Sequence, residues 1–412
     1  MTDLVKTVQN TIKEHKLVKP GDFVLLGFSG GPDSLCLFHA LLELRAQMGF
    51  DFAAVHINHG IRGEAADEDA AWAVNYARSH GVSCIGAVAN VPAYAKKRHM
   101  TEEEAGRSVR REVFAYIAYG IATGKQIGTR PDDKRPDEPN LGASGKAKSS
   151  AQDRPAIPVP KGGVRIALAH NMDDQAETVL MRVLRGTGVH GLSGIQYRSR
   201  IDDALLRVAA GTNDEELRSK AKELDISVIR PLMDVPRSEI EAFCTENQLQ
   251  PRMDHTNAET DYTRNKIRLE LIPAIEKDFN PNIKEALVRL AANASEDDDA
   301  LSGIAAKAMI DSENVLEARM PRPEDSVFPA SLDPKPLLSS IELSASVLRK
   351  LEPAVFKRII VSEFARLGLS EGISAVHLNA LYGAVQKNIG GKVTEFPGGH
   401  TATLRGGTLT LR

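Results

Sequence analysis

The sequence predicts an α/β fold: an open, largely parallel sheet doubly wound with helices, followed by a helical segment and a small α+β C-terminal domain. Three observations carry this reading. Short continuous apolar runs alternate with amphipathic stretches through the first half of the chain. A turn rich in glycine and serine joins the first apolar run to the helix after it. Beyond Pro236 the strand signals stop, and they return only near the C-terminus.

The elements follow in order. Leu4–Leu17 is an amphipathic helix closed by "KPGD", and "FVLLGF" (Phe23–Phe28) is a strand apolar on both faces, as in buried parallel sheets. "SLCLFHALLELRAQMG" has helical spacing and ends on Gly49. "DFAAVHIN" is a second strand; "EAADEDAAWAVNYARSHG" is a helix with acids early and Arg78 late, as its dipole favours. "VSCIGAVAN" is a third strand, and Thr101 caps a third helix running to Gly124. Val164–His170 is a fourth strand, leading into the helix "MDDQAETVLMRVLRG".

Two stretches interrupt the alternation. Residues 125–163 are rich in Pro, Gly, Ser and charge and too poor in apolar residues to offset their ordering entropy, which predicts a flexible insertion. Residues 199–225 read as a charged surface excursion before "ISVIRPL". The boundaries expected are the sheet domain over 1–235, a helical segment over 236–319, a proline-marked linker over 320–338 and a C-terminal α+β domain over 339–412.

Composition excludes several classes. The chain has 412 residues, 42% of them hydrophobic, and a net charge of −3, so no global basic signature announces a nucleic acid. Cys36, Cys84 and Cys244 are scattered and form no CxxC, which argues against a zinc site, an iron–sulfur cluster or a disulfide framework. No apolar run reaches the ~20 residues of a membrane span, and the N-terminus lacks a signal-type core, so a cytoplasmic location is expected.

The informative stretch is Ser29-Gly30-Gly31-Pro32-Asp33-Ser34. At a strand's C-terminal end and a helix's start, glycines allow close approach, and free N–H groups with the helix dipole attract an anion. Ser29 and Ser34 add hydroxyls, and Pro32 suits the first helical turn. The loop lacks the GK[ST] ending of a Walker loop. A carboxylate, Asp33, stands near the phosphates instead, which makes sense if a divalent metal lies between them. An ordinary glycine-rich turn is the alternative.

Asp174 and Glu177, three apart at a helix start, are surface neighbours suited to Mg²⁺ or an ammonium group, or else simply complement the helix dipole. His170 ends the strand before them. His56 and His59 flank another strand end and read as structural without further ligands, while Arg107 and Arg110, one turn apart, face either solvent or phosphate.

"SGGPDS" resembles the SGGxDS motif of PP-loop ATP pyrophosphatases, which split ATP between its α- and β-phosphates, and so implies an adenine nucleotide alpha-hydrolase-like fold. Three more stretches resemble the tRNA(Ile)-lysidine synthetase family: "HINHGIRGEAADED", "ALAHNMDDQAETVLMRVLRGTGVHGLSGI" and "IRPLMDVPRSEIEAFC…DHTNAETDYTRNKIRLELIPAIE". The C-terminal "FPGGHTATLRGGTLTL" is similar to a family accessory domain.

The resemblance implies a ligase that uses ATP and Mg²⁺. It adenylates C2 of the wobble cytidine in a CAU-anticodon isoleucine tRNA, and the ε-amine of free lysine then displaces AMP to give lysidine, so the anticodon reads AUA in place of AUG. It implies catalytic roles for Asp33, His170, Asp174, Glu177, Arg107 and Arg264. It places the nucleotide on Ser29, Gly30, Gly31, Pro32, Asp33, Ser34, His56, Asn58 and His59, and Mg²⁺ on Asp33 and Asp174. Arg264, Asn265 and Arg268 match the family's RN-x-IR pattern, whereas Arg111 replaces a usual tyrosine. Selection of the tRNA is expected from Arg349, Lys350, Lys357, Arg358 and Arg366.

Two rivals remain open. A 2-thiolation enzyme would lean on cysteines this chain does not cluster, and a non-catalytic nucleotide sensor would be expected to lose the acids it keeps. The oligomeric state is left open, a homodimer being one alternative.

Overall fold

The structure, a computed structural model, describes residues 2–61, 63–124, 159–201, 205–206, 224–252, 263–310, 315–319, 340–369 and 372–412. Most of the 125–163 insertion, much of the 199–225 excursion and the whole 320–338 linker fall outside the described residues. The chain divides into two compact units, one of residues 1–187 and 194–291 and one of residues 188–193 and 292–412.

The first unit is built on a six-stranded sheet of order β3-β2-β1-β4-β6-β5. Its strands are β1 (Phe23–Gly27), β2 (Asp51–Asn58), β3 (Cys84–Val88), β4 (Val164–Ala167), β5 (Arg198–Arg200) and β6 (Ile226–Ile229). All pairings are parallel except the edge pair β5–β6. The helices of this unit are α1 (Asp3–Glu14), α2 (Pro32–Met48), α3 (Glu64–Ser79), α4 (Val91–Arg98), α5 (Glu102–Thr123) and α6 (Met172–Arg185). After the one-turn α7 (Val189–Leu192), which groups with the second unit, come α8 (Arg237–Glu246), α9 (Thr263–Lys266), a π-helical turn (Ile267–Leu271) and α10 (Ile272–Asp278).

Alternation along β1 divides the core. Val24 and Leu26 pack with α1, α2, α3 and α8, whereas Phe23 and Leu25 pack with α4 and α5 on the opposite face. Both layers come from one strand because all four residues are buried, which is what the unbroken apolar run requires. α4 was not foreseen. It is a short helix capped by Asn90, whose side chain accepts from Ala93 N at 3.0 Å, and it carries Pro92 in its first turn.

Below the sheet, at the start of β4, Arg165 is wholly buried. Its Nε meets Asp22 at 2.8 Å, and its Nη1 meets Asp225 at 2.7 Å and Ser227 at 3.0 Å. The guanidinium ties the N-terminal ends of β1, β4 and β6 together.

The second unit contains a five-stranded antiparallel sheet of order β7-β8-β11-β10-β9. Its strands are β7 (Val315–Arg319), β8 (Ser340–Ser344), β9 (Val393–Glu395), β10 (Thr401–Arg405) and β11 (Thr408–Leu411). α11 (Ile283–Ile310) runs into this unit, followed by α12 (Ala345–Leu348), α13 (Pro353–Arg366) and α14 (Ala375–Gln386). The sheet's apolar residues Ile341, Leu343, Ala402, Leu404, Leu409 and Leu411 bury against Phe356, Ile360 and Phe364 of α13. Among the described residues no helix is long and apolar enough to cross a membrane.

Candidate active site

In the large sheet the chain runs outward from β1 through β2 to β3, then returns to the other side of β1 for β4 and β6. The crevice between the C-terminal ends of β1 and β4 is therefore the topological switch point, where open α/β sheets bind ligands. Every parallel strand end there carries a residue singled out from the sequence or found beside one.

The loop after β1 is braced from within. Ser34 Oγ accepts from Gly30 N at 3.1 Å and donates to the Gly31 carbonyl at 3.1 Å, and it lies 3.1 Å from Ser29 Oγ. Gly31 is the N-cap of α2, with Pro32 in its first turn. Gly30 is left-handed at φ +89°, and a Cβ there would stand 2.7 Å from the Trp72 ring. Gly31 is extended, and a Cβ would come no closer than 3.6 Å to Ser29 Oγ. Gly30→Ala is thus expected to cost about 2 kcal/mol through strain and overlap, whereas Gly31→Ala leaves the melting temperature near wild type. Thermal unfolding of both variants checks the contrast, and equal losses would contradict it.

Three helix starts meet at Asp33. Asn171, the N-cap of α6, donates from Nδ2 to Asp33 Oδ1 at 2.8 Å, and Arg237, at the start of α8, reaches Asp33 Oδ2 at 3.3 Å. Arg237 is itself placed by its backbone N–H, which donates to Asp173 Oδ2 at 2.9 Å. The other Asp173 oxygen takes Lys284 at 2.9 Å. Burial pushes the Asp33 pKa above the ordinary carboxylate value, against the lowering effects of the Arg237 charge and the Asn171 hydrogen bond.

The sign of this shift has a testable consequence. Protonated Asp33 is the form the fold favours, so its stabilising contribution is complete below the unfolded pKa of about 3.9 and is lost as pH rises through the raised native value. Asp33→Asn is accordingly expected to melt at or above the wild-type temperature at pH 7, with the difference vanishing below about pH 3. A variant that melts lower at pH 7 would contradict the assignment.

Around α6 the acids are fully engaged. Glu177 is 2% exposed and takes Arg264 Nε at 2.8 Å, Arg268 Nε at 2.5 Å and Arg268 Nη2 at 3.0 Å. Asp174 takes Arg264 at 2.9 Å and Arg268 at 3.2 Å, and its second oxygen closes the capping box on Asn171 N at 3.1 Å. Arg264 and Arg268 stand on consecutive turns spanning α9 and the π-helical turn. That turn precedes Pro273, which cannot donate to the carbonyl four residues back.

His170 follows β4. Its Nδ1 is buried without a hydrogen-bond partner. Burial lowers its pKa to about 4, against the pull of Asp174, with Arg230, Arg264 and Arg110 lowering it further. It is neutral at pH 7.

The residues after β2 brace the loops. His56 Nδ1 lies 2.9 Å from the Phe28 carbonyl, so it holds the end of β1. Asn58 donates to Asp67 at 2.8 Å and accepts from Gly60 N at 2.8 Å, and the His59 carbonyl receives Val91 N at 3.1 Å. Arg107 is exposed and pairs with Glu103 at 2.7 Å, so no described contact joins it to the acid cluster. Arg110, one turn on, is the arginine of that helix whose charge acts on His170.

The sequence did not single out Asn171, Asp173, Arg230, Arg237 or Lys284. An N-cap asparagine three residues before Asp174 is a legible signal for the first of them. In the second unit, Arg358 pairs with Asp298 and Arg366 with Glu363, while Arg349 Nε donates to the Ala345 carbonyl at 3.1 Å. Of the basic residues named there, Lys350 is exposed and Lys357 half-buried.

Residues 2–122 and 159–275 match the ATP_bind_3 family, described as a PP-loop domain. The chain belongs to the PP-loop family. The PP-loop match covers the whole switch-point crevice, from the Ser29–Ser34 loop to Arg264 and Arg268, and ATP use follows from it.

The chain is also similar to curated proteins named tRNA(Ile)-lysidine synthase. It is 35% identical to that of Clostridioides difficile over 292 residues, 71% of this chain and 49% of that one. It is 34% identical to that of Caldanaerobacter subterraneus subsp. tengcongensis over 298 residues, 72% of this chain and 50% of that one. The similarity to the Dehalococcoides mccartyi protein is 31% over 317 residues, 76% and 55% of the two chains. The chain spans about half the length of the first two of these relatives.

Asp33 and Asp174 are the carboxylates that a magnesium nucleotide would meet in this crevice. Among the described residues no group of three or more His, Cys, Asp or Glu is set to hold a metal ion. Mg²⁺ commonly takes one or two carboxylates and draws its remaining ligands from phosphates and water. Asp33, carrying the cost of burial and the repulsion of the Asp174 charge, is a donor whose charge such an ion would balance.

Proposed function

We propose that the chain is a tRNA(Ile)-lysidine synthetase that adenylates C2 of the wobble cytidine in a CAU-anticodon isoleucine tRNA and then transfers free lysine to it. The observation that carries the reading is a chain of contacts at the switch point: Asn171 donates to Asp33 and closes a capping box with Asp174, and Asp174 and Glu177 together hold Arg264 and Arg268. The similarity to the tRNA(Ile)-lysidine synthases supports the choice of acceptor.

In this reading the Ser29–Ser34 loop and the start of α2 receive the phosphates, where amides and helix dipole meet the charge that develops on the leaving diphosphate. Asp33 and Asp174 would hold Mg²⁺, which supplies charge neutralisation when bound. Asp174 and Glu177 keep two guanidinium groups in fixed positions beside the reacting centre.

The nucleophile must be a neutral amine, although its ordinary pKa is about 10.4. Positive charges close by disfavour the ammonium form, and Arg264, Arg268 and Arg110 supply them. Neutral His170 offers an acceptor nitrogen for the proton released on attack. The wobble base has to leave its stack to enter the crevice. Of the C-terminal basic residues named from the sequence, Lys350 and Lys357 have no described side-chain partner and would meet tRNA phosphates.

The test is nucleotide turnover with each substrate omitted in turn. Diphosphate should form with ATP, Mg²⁺ and the isoleucine tRNA, and AMP release should require lysine as well. AMP formation indifferent to tRNA would count against this reading; no AMP under any condition would favour a nucleotide sensor.

A further inference from the structure

The loop after β1 is held from outside as well as from within. Arg252, in the chain that leaves α8, donates its backbone N–H to the Gly30 carbonyl at 3.0 Å. Its side chain reaches α3, where Nε pairs with Asp69 at 2.6 Å and the guanidinium carbon stands 5.9 Å from the centre of the Trp72 ring. Asp69 and Trp72 lie about one turn apart on α3, on one side of the helix. Trp72 stacks on Phe28 at 5.9 Å and on Tyr76 at 4.9 Å, and its ring occupies the space that a side chain at Gly30 would need.

This outer contact falls on the one peptide of the Gly30–Gly31 pair that the inner brace omits. Ser34 Oγ accepts from Gly30 N and donates to the Gly31 carbonyl, so it fixes the peptides on either side. The peptide between the two glycines is fixed at its carbonyl by Arg252. Glycine at both ends lets that peptide turn over at little steric cost.

Its orientation decides what the loop presents. In a trans peptide the C=O and N–H point in opposite directions. Holding the Gly30 carbonyl on Arg252 therefore aims the Gly31 N–H away from it, at the N-cap of α2. There the N–H makes a long contact of 3.4 Å with Ser29 Oγ on the exposed side of the loop, which a phosphate oxygen can displace. A peptide turned over would set a carbonyl dipole against the phosphates instead.

We propose that Arg252, anchored by Asp69 and Trp72, is a positioning residue for the nucleotide: it locks the Gly30–Gly31 peptide with its N–H toward the phosphates. The role rests on ATP binding at the Ser29–Ser34 loop and is independent of which acceptor receives the adenylate. Arg252 is 38% exposed and Asp69 17%, so solvent screens the pair and its loss costs the fold little. The effect belongs in phosphate affinity.

The test measures binding of MgATP, inorganic diphosphate and adenosine to the full chain by calorimetry. Arg252→Ala should weaken MgATP and diphosphate about 10-fold, the scale of one lost charge-assisted hydrogen bond. Adenosine affinity, KM for tRNA and the melting temperature should stay near wild type. Arg252→Lys, which keeps a cation for Asp69 and the Trp72 ring, should restore part of the loss. Asp69→Asn, which loosens the same anchor from α3, should reproduce the loss in part, and it carries the comparison should Arg252→Ala misfold as judged by circular dichroism.

Tighter diphosphate binding in Asp69→Asn would mean that the released guanidinium is itself a phosphate ligand, and would overturn the clamp. Equal losses for MgATP and adenosine would make Arg252 merely structural and overturn it, as would a rise in KM for tRNA alone. A wild-type protein that binds neither MgATP nor diphosphate fails the nucleotide reading and the clamp with it, a failure visible before any variant is compared.

Discussion

Replacing Glu177 with glutamine is expected to lower turnover by about 100-fold, the scale of losing a preorganised charge at a reacting centre, and to destabilise the protein. Glu177 lies at the centre of the cluster: it is almost wholly buried and receives three hydrogen bonds from Arg264 and Arg268. Neutralising it leaves two guanidinium groups to share Asp174.

Breaking a buried ion pair by removing one partner costs about 3–5 kcal/mol. The arginines are 26% and 29% exposed, so solvent screens part of this and about 2 kcal/mol is expected. Urea unfolding measures the loss. The double variant Glu177→Gln, Arg268→Gln should regain stability without regaining activity, because it removes the stranded charge but not the need for it. Recovery of both would mean that the cluster serves only to hold α6 to the turn after α9.

Arg165→Met is expected to have the largest effect on stability and none on substrate affinity. The side chain is fully buried, and removing it strands Asp22, itself 2% exposed. Asp22 keeps two backbone donors, Lys19 N at 2.9 Å and Gly163 N at 2.8 Å, but loses the guanidinium that pairs with it. The loss should be about 3–5 kcal/mol, or roughly 6–20 °C in melting temperature for a unit of this size. KM for ATP measured well below the transition should not move, since the network lies at the opposite end of the strands from the crevice.

The acid limb of stability should change as well. The Arg165 hydrogen bond lowers the Asp225 pKa below its ordinary value. The stability this contributes is present above the unfolded pKa and lost as pH falls through the native one. Without Arg165 that fall with acid should flatten, and a variant whose acid limb is unchanged would contradict the assignment.

The sheet was legible because β1 is apolar at every position, a pattern that only burial on both faces explains, and because each later strand was punctuated by a helix. α4 escaped because eight residues with a proline in the first turn give no clear period. β7 and β8 escaped because they pair with each other from either side of the proline-marked stretch, and the other partner of β8, β11, is about 65 to 70 residues further along the chain.

The site divides the same way. Asp174 with Glu177, and Arg264 with Arg268, sit at helical spacing and could be paired on the page. Arg237 could not, because its contact with Asp33 bridges 204 residues, and Asn171 meets Asp33 across 138. Arg230 gave no signal at all. What marks it is a buried Nε left without a hydrogen-bond partner after folding, which spacing does not encode.

The most direct test of the account is transfer of labelled lysine to a CAU-anticodon isoleucine tRNA transcript in the presence of ATP and Mg²⁺, with the initiator methionine tRNA as control. The account requires lysine incorporated into the isoleucine tRNA alone, with AMP formed in step. AMP formation without lysine incorporation, or equal labelling of both tRNAs, would contradict it.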